Sequence, residues 1–155
     1  GWYSSVPLEG VSPDNKQEAI HDIVKSFKQL PYVERRVAID QGHKLTASIE
    51  DVVCRGEGAI AAIWHSNVGQ LNYNYRKDHA SRNERIFLLR NSWAHKAGLV
   101  KSPYSVAFTD EQTMPAEEVN CRCKYQYLYN LQDLPTEFLT KKGLEAVEAL
   151  KGKKK

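Results

Sequence analysis

Apolar residues recur at helical spacing through the first third of the chain. Ala19, Ile20, Ile23, Val24 and Phe27 form one such series. Ser12 is a good N-cap and Pro13 suits the first helical position, so a helix is expected to begin there and to end at Pro31. A longer helix is expected from near Val33 to Arg55. Its stripe is Val33, Val37, Gln41, Leu45, Ile49, Val52 and Val53, with Gly56 and Gly58 as its stop.

The pattern then shortens. Ala59 to His65 is a compact apolar run that reads as a buried strand, with helix as the alternative. Ser66 to Arg85 is rich in Asn and polar residues and reads as turns. Ile86 to Leu89 predicts a second strand, Ser92 to Gly98 a short helical turn, and Ser105 to Thr109 a weak third strand. Asp110 to Val119 reads as loop. Cys121 to Tyr129 alternates and is aromatic-rich, which predicts a strand. Leu134-Pro135-Thr136 opens a last helix through Leu150, with Leu139, Leu144, Val147 and Leu150 on its apolar side. Helices first, then three or four short strands, then a helix define an α+β fold with a small, mostly antiparallel sheet. The expected organisation is an extended arm over 1–11, a single α+β domain over 12–150 and a basic tail over 151–155. The arm carries Trp2, Tyr3, Val6 and Leu8, so it is expected to dock on something.

Composition adds little to this picture. A 155-residue chain that is 41% hydrophobic and 26% charged suits one ordinary globular domain rather than a disordered segment. The net charge of +3 permits nucleic-acid contact without arguing for it. The one concentrated run is Lys151, Lys153, Lys154 and Lys155, which reads either as a solvated terminus or as a DNA contact. No apolar run approaches the roughly 20 residues of a membrane-spanning helix, no signal peptide is visible, and Gly1 in place of Met fits a processed or truncated piece.

Three cysteines, Cys54, Cys121 and Cys123, make a poor disulfide framework and point to a reducing compartment or a metal. On a strand, Cys121 and Cys123 face the same side, and a bond between them would be badly strained. Two readings stay open: a metal, most plausibly zinc, held with further ligands, or two thiols packed as small apolar groups. Arg76-Lys77-Asp78-His79 with Arg82 offers a general base among cations, a metal ligand, or a locally bonded polar loop. His65 and His95 are further ligand candidates that spacing does not select, and His21 and His43 read as surface groups. Tyr125, Tyr127 and Tyr129 form one stripe, suited to stacking on bases or to packing against a helix. The common nucleotide-binding, hydrolase and metalloprotease motifs are missing from the sequence.

Several pieces then occur in a recognisable order. They are Ala38-Ile39-Asp40-Gln41 with Lys44-Leu45, Ile63-Trp64, Arg76-x-x-His79 and Ile86-Phe87. Pro115-x-Glu117 follows, running into Asn120-Cys121-Arg122-Cys123. Residues 34–129 thereby resemble the C-terminal domain of the phage Mu F-like head morphogenesis family, the minor head proteins of tailed phages. The resemblance implies a structural rather than enzymatic role in the virion, assembled in the bacterial cytoplasm near the portal vertex. It implies portal or major capsid protein as partners, possible contact of the basic tail with packaged DNA, and no membrane. It also implies metal ligation, with zinc as the expected metal, by His79, Cys121 and Cys123. Such a staple would join segments about forty residues apart. The competing expectation is a toxin-like ribonuclease or ADP-ribosyltransferase using His79 with Glu84 or Glu117. A zinc-stapled interaction module of a cell is a third.

Overall fold

A computed structural model describes residues 16–68 and 76–152. The arm, the Ser12-Pro13 cap, part of the Asn-rich loop and Lys153 to Lys155 lie outside the described residues. The chain forms two compact units, residues 1–42 and 43–155. In the first, α1 (Lys16–Gln29) carries Glu18 in its first turn and Lys28 in its last. Both complement the helix dipole. The long helix α2 (Tyr32–Gly56) begins at Pro31, whose carbonyl accepts from the Arg35 amide at 3.0 Å.

The second unit is built on three antiparallel strands in the order β2-β1-β3. They are β1 (Ala61–His65), β2 (Ile86–Leu88) and β3 (Lys124–Leu128). With its helices, this is the α+β architecture expected. In register, Ala62 lies opposite Phe87 on one side and Tyr127 on the other. Alternation therefore sends Ala61, Leu88 and Leu128 to one face of the sheet, and Ala62, Trp64, Phe87 and Tyr125 to the opposite face. Each face has its own core. The first core takes in Phe138, Leu139 and Val147 from the C-terminal region. The second takes in Cys121 and Cys123.

Short helices α3 (Lys77–Ser81) and α4 (Trp93–Lys96) interrupt the loops, and α5 (Lys141–Gly152) closes the fold. Ser92 caps α4, its hydroxyl accepting from the His95 amide at 3.3 Å. Gly143 lies where α5 presses on the chain at Leu99. A Cβ there would stand 2.1 Å from the Leu99 carbonyl oxygen. The glycine that interrupts the helical pattern is thus required by close approach.

Several elements differ from the sequence pattern. The stripe of α2 faces outward: Leu45, Ile49 and Val52 are 62%, 53% and 70% exposed. The opposite side of the same helix carries Asp51, Cys54 and Arg55 onto the sheet, where polar partners await them. The Tyr127 hydroxyl donates to Asp51 Oδ1 at 2.9 Å, and Arg55 Nη2 donates to the buried Thr109 hydroxyl at 2.9 Å. These hydrogen bonds seat the helix, with Cys54 packed against the second core. The tyrosine stripe packs on the same side and so is internal.

The strand expected from Cys121 begins only at Lys124, because its partner β1 ends at His65, opposite Lys124. The segment from Ser105 makes only an isolated bridge, Leu88 to Phe108. The last helix starts at Lys141, since Thr136–Phe138 forms a single 3-10 turn first. Within the polar loop, α3 supplies a helix that propensity did not announce.

Candidate metal centre

Three segments meet on the second face of the sheet. Trp64 on β1 is fully buried and forms the floor. His79 on α3 stands over it edge-on, with ring centroids 5.3 Å apart at 75°. The turn before β3 brings Cys121 and Cys123. That turn is tight because Asn120 takes a left-handed conformation, φ 58°. Asn tolerates this region better than most residues, since its side chain bonds locally.

His79 Nδ1 lies 3.5 Å from Cys121 Sγ and 3.6 Å from Cys123 Sγ. The three ligand atoms all fall within 4.8 Å of one another, and all three residues are buried. The expected triad therefore converges, although the cysteines sit in the irregular segment between a turn and β3 rather than on a strand. Two thiols and an imidazole nitrogen form a donor set suited to a soft or borderline metal ion.

The two thiols are unequal. Cys121 is held down to about 5, first because the Cys123 thiol donates to its sulfur. The Ala116 amide adds a further hydrogen bond at 3.3 Å. Cys123 is pushed up, since it keeps the shared proton beside a negative sulfur and is also buried. The two thiols thus share one proton, held on the Cys123 side.

A polar frame holds the parts. Trp64 Nε1 donates to the Ser66 hydroxyl at 2.9 Å. That hydroxyl donates in turn to the carbonyl of His79. The Asn83 side chain accepts from the Ser66 amide at 2.8 Å. Arg82 stacks over Trp64, its Cζ 5.1 Å from the ring, and pairs with Asp78 at 3.3 Å. Arg76 reaches Glu118 at 2.8 Å and the Val119 carbonyl at 3.4 Å, tying the start of α3 to the cysteine turn.

The other face of the imidazole is unusual. Among the described residues, buried His79 Nε2 has no hydrogen-bond partner; Glu118 Oε1 lies at 3.6 Å and Asp78 Oδ2 at 3.7 Å. Sequence reasoning passed over Glu118, Ser66 and Ala116, since nothing in their spacing marks them.

The remaining candidates lie elsewhere. His65 bonds Glu84 at 3.1 Å and Gln126 at 2.8 Å. His95 packs on Phe108 with centroids 5.1 Å apart. The Glu117 carboxylate accepts from the Met114 amide at 2.7 Å. Glu84 and Glu117, the acids paired with His79 in the enzymatic expectation, are thus engaged away from it. The carboxylates beside the imidazole are those of Asp78 and Glu118.

The chain matches no protein-family model, no curated protein and no solved structure.

Proposed function

We propose that this chain is a structural minor head protein of a tailed phage, built into the virion near the portal vertex. One observation carries the reading. The most specific residues of the resemblance, Trp64, Arg76, His79 and the Asn120 to Cys123 run, come from separate segments and gather at one place. Their convergence on one site gives these separated pieces a shared structural role, which supports the reading.

Zinc is the metal of this reading. Zn–S bonds of about 2.3 Å and Zn–N bonds of about 2.1 Å at a tetrahedral angle separate sulfur from nitrogen by about 3.6 Å. The observed separations are 3.5 and 3.6 Å. His79, Cys121 and Cys123 would hold the ion, and it would supply a cross-link between α3 and the turn before β3. Because ligation needs the folded arrangement, its binding free energy adds to folding.

Function then follows from shape and surface. The stapled site stiffens one face of the sheet. The outward stripe of Leu45, Ile49 and Val52 offers apolar area for a portal or major capsid subunit. The terminal lysines, Lys151 and Lys153 to Lys155, provide charge for packaged DNA.

The test is quantitative mass spectrometry of gradient-purified, DNA-filled particles from the producing host. A fixed low copy number per particle supports the proposal. Particles without this chain overturn it.

A further inference from the structure

The metal-facing nitrogen of His79 has an explanation in the site, but its opposite nitrogen does not. Nε2 belongs to a side chain only 3% exposed and has no hydrogen-bond partner among the described residues. A buried nitrogen left bare is unfavourable. Something about the site must make the position worthwhile.

Two carboxylates approach it, Glu118 Oε1 at 3.6 Å and Asp78 Oδ2 at 3.7 Å. One use of such a trio is a second cation site. Charge argues against it. Glu118 already pairs with Arg76 at 2.8 Å and Asp78 with Arg82 at 3.3 Å. Two guanidinium groups offset the two carboxylates, so little negative charge remains to attract a further cation. The alternative is a hydrogen bond from an Nε2–H.

The two acids are not equal candidates. Glu118 is the more buried, its side chain 32% exposed against 57% for Asp78. Its second oxygen is fixed by Arg76, which leaves Oε1 directed at the ring. Glu118 also belongs to the cysteine turn, since its carbonyl accepts from the Cys121 amide at 3.0 Å. One residue therefore touches both the histidine and the turn that bears the thiols.

We propose that Glu118, pinned by Arg76, is the positioning residue of the metal centre: it accepts the Nε2–H of His79 and so fixes the tautomer whose Nδ1 faces the metal. The inference rests on the metal reading above. A shift of a few tenths of an ångström brings Oε1 within hydrogen-bond distance of Nε2. The carboxylate then orients the ring and raises the basicity of Nδ1, as outer partners of metal-bound histidines do. Arg76 supplies the third link, so that its loss acts on the metal through Glu118 rather than by direct contact.

Competition with a chromophoric chelator tests this on the full chain, using zinc and wild type, Glu118→Gln and Arg76→Ala. The expected result is zinc affinity lower by about 10- to 100-fold in Glu118→Gln, and by a smaller factor in Arg76→Ala. Metal-free melting temperature of Glu118→Gln should stay close to wild type, which a merely structural role would not predict. Nitrogen chemical shifts of His79 in the zinc-loaded wild type provide a reading independent of any variant, with metal on Nδ1 and the proton on Nε2. A wild type that binds zinc while Glu118→Gln binds it equally well, or metal found on Nε2, overturns this proposal alone. A wild type that binds no zinc overturns it together with the metal reading.

Discussion

Trp64 presents its indole to the imidazole of His79 edge-on, at 5.3 Å and 75°. Through this contact the central strand of the sheet sets the position of His79 on a helix of only five residues. A helix so short has little stability of its own. It is held by tertiary contacts: the ring on Trp64, the Ser66 hydroxyl on its backbone, and Arg76 on Glu118. The site is therefore tied to the sheet beneath it, although it is assembled from loops.

The staple has a direct chemical test. Purified wild type is expected to contain about one zinc per chain, and Cys121→Ser to lose it. Adding a chelator to wild type should lower its melting temperature towards that of the variant. Elemental analysis with thermal melts checks both. A metal-free wild type of undiminished stability would refute the staple.

Gly143→Ala is expected to destabilise the fold by about 1–3 kcal/mol, through overpacking of α5 against Leu99. A denaturant midpoint measures it. The same exchange at Gly42, where nothing lies within 4 Å, should be neutral to stabilising, because alanine is the better helix former.

Tyr127→Phe removes the hydrogen bond to Asp51 at 2.9 Å, with the ring still packed on the second face. Bonds to charged groups contribute about 1.5–3 kcal/mol. Asp51 keeps Arg55 at 2.7 Å, so the loss should fall at the lower end of that range. Equilibrium unfolding of the single variant settles the figure.

Arg90 holds Asp110 at 2.8 Å and Glu111 at 2.7 Å. The guanidinium keeps the Asp110 carboxyl below its ordinary value of 3.8. The amides of Ala107 and Phe108, ahead of Arg90, keep Glu111 below its ordinary 4.5. In both, the unfolded chain binds protons at a higher pH than the folded one. The stabilisation is thus complete above the unfolded values and is lost as pH falls through the folded ones. Unfolding midpoints should drop from about pH 5 downward, and Glu111→Gln should flatten part of that drop. An identical pH profile in the variant would contradict the assignment.

Element type was readable wherever a segment had its own periodicity. The α+β class, both long helices and the strand pattern of Ala61–His65 and Ile86–Leu88 follow from apolar spacing, which local sequence specifies. Residue chemistry marked Cys121, Cys123 and His79 among several candidates, the family resemblance singled out the three, and the fold brings them together. Where the elements end was not readable. The alternation of Cys121 to Tyr129 suggests one strand, but pairing stops where β1 runs out of partners. The facing of α2 was not in the pattern either, for a similar reason. Periodicity shows that a helix has an apolar side, yet not whether the rest of the chain covers it; here Asp51 and Arg55 turn the polar side inward. Which nitrogen of His79 meets the thiols, and which acid stands behind it, depends on contacts across 42 and 39 positions of the chain. Those contacts exist only after folding, so tertiary structure alone decides them.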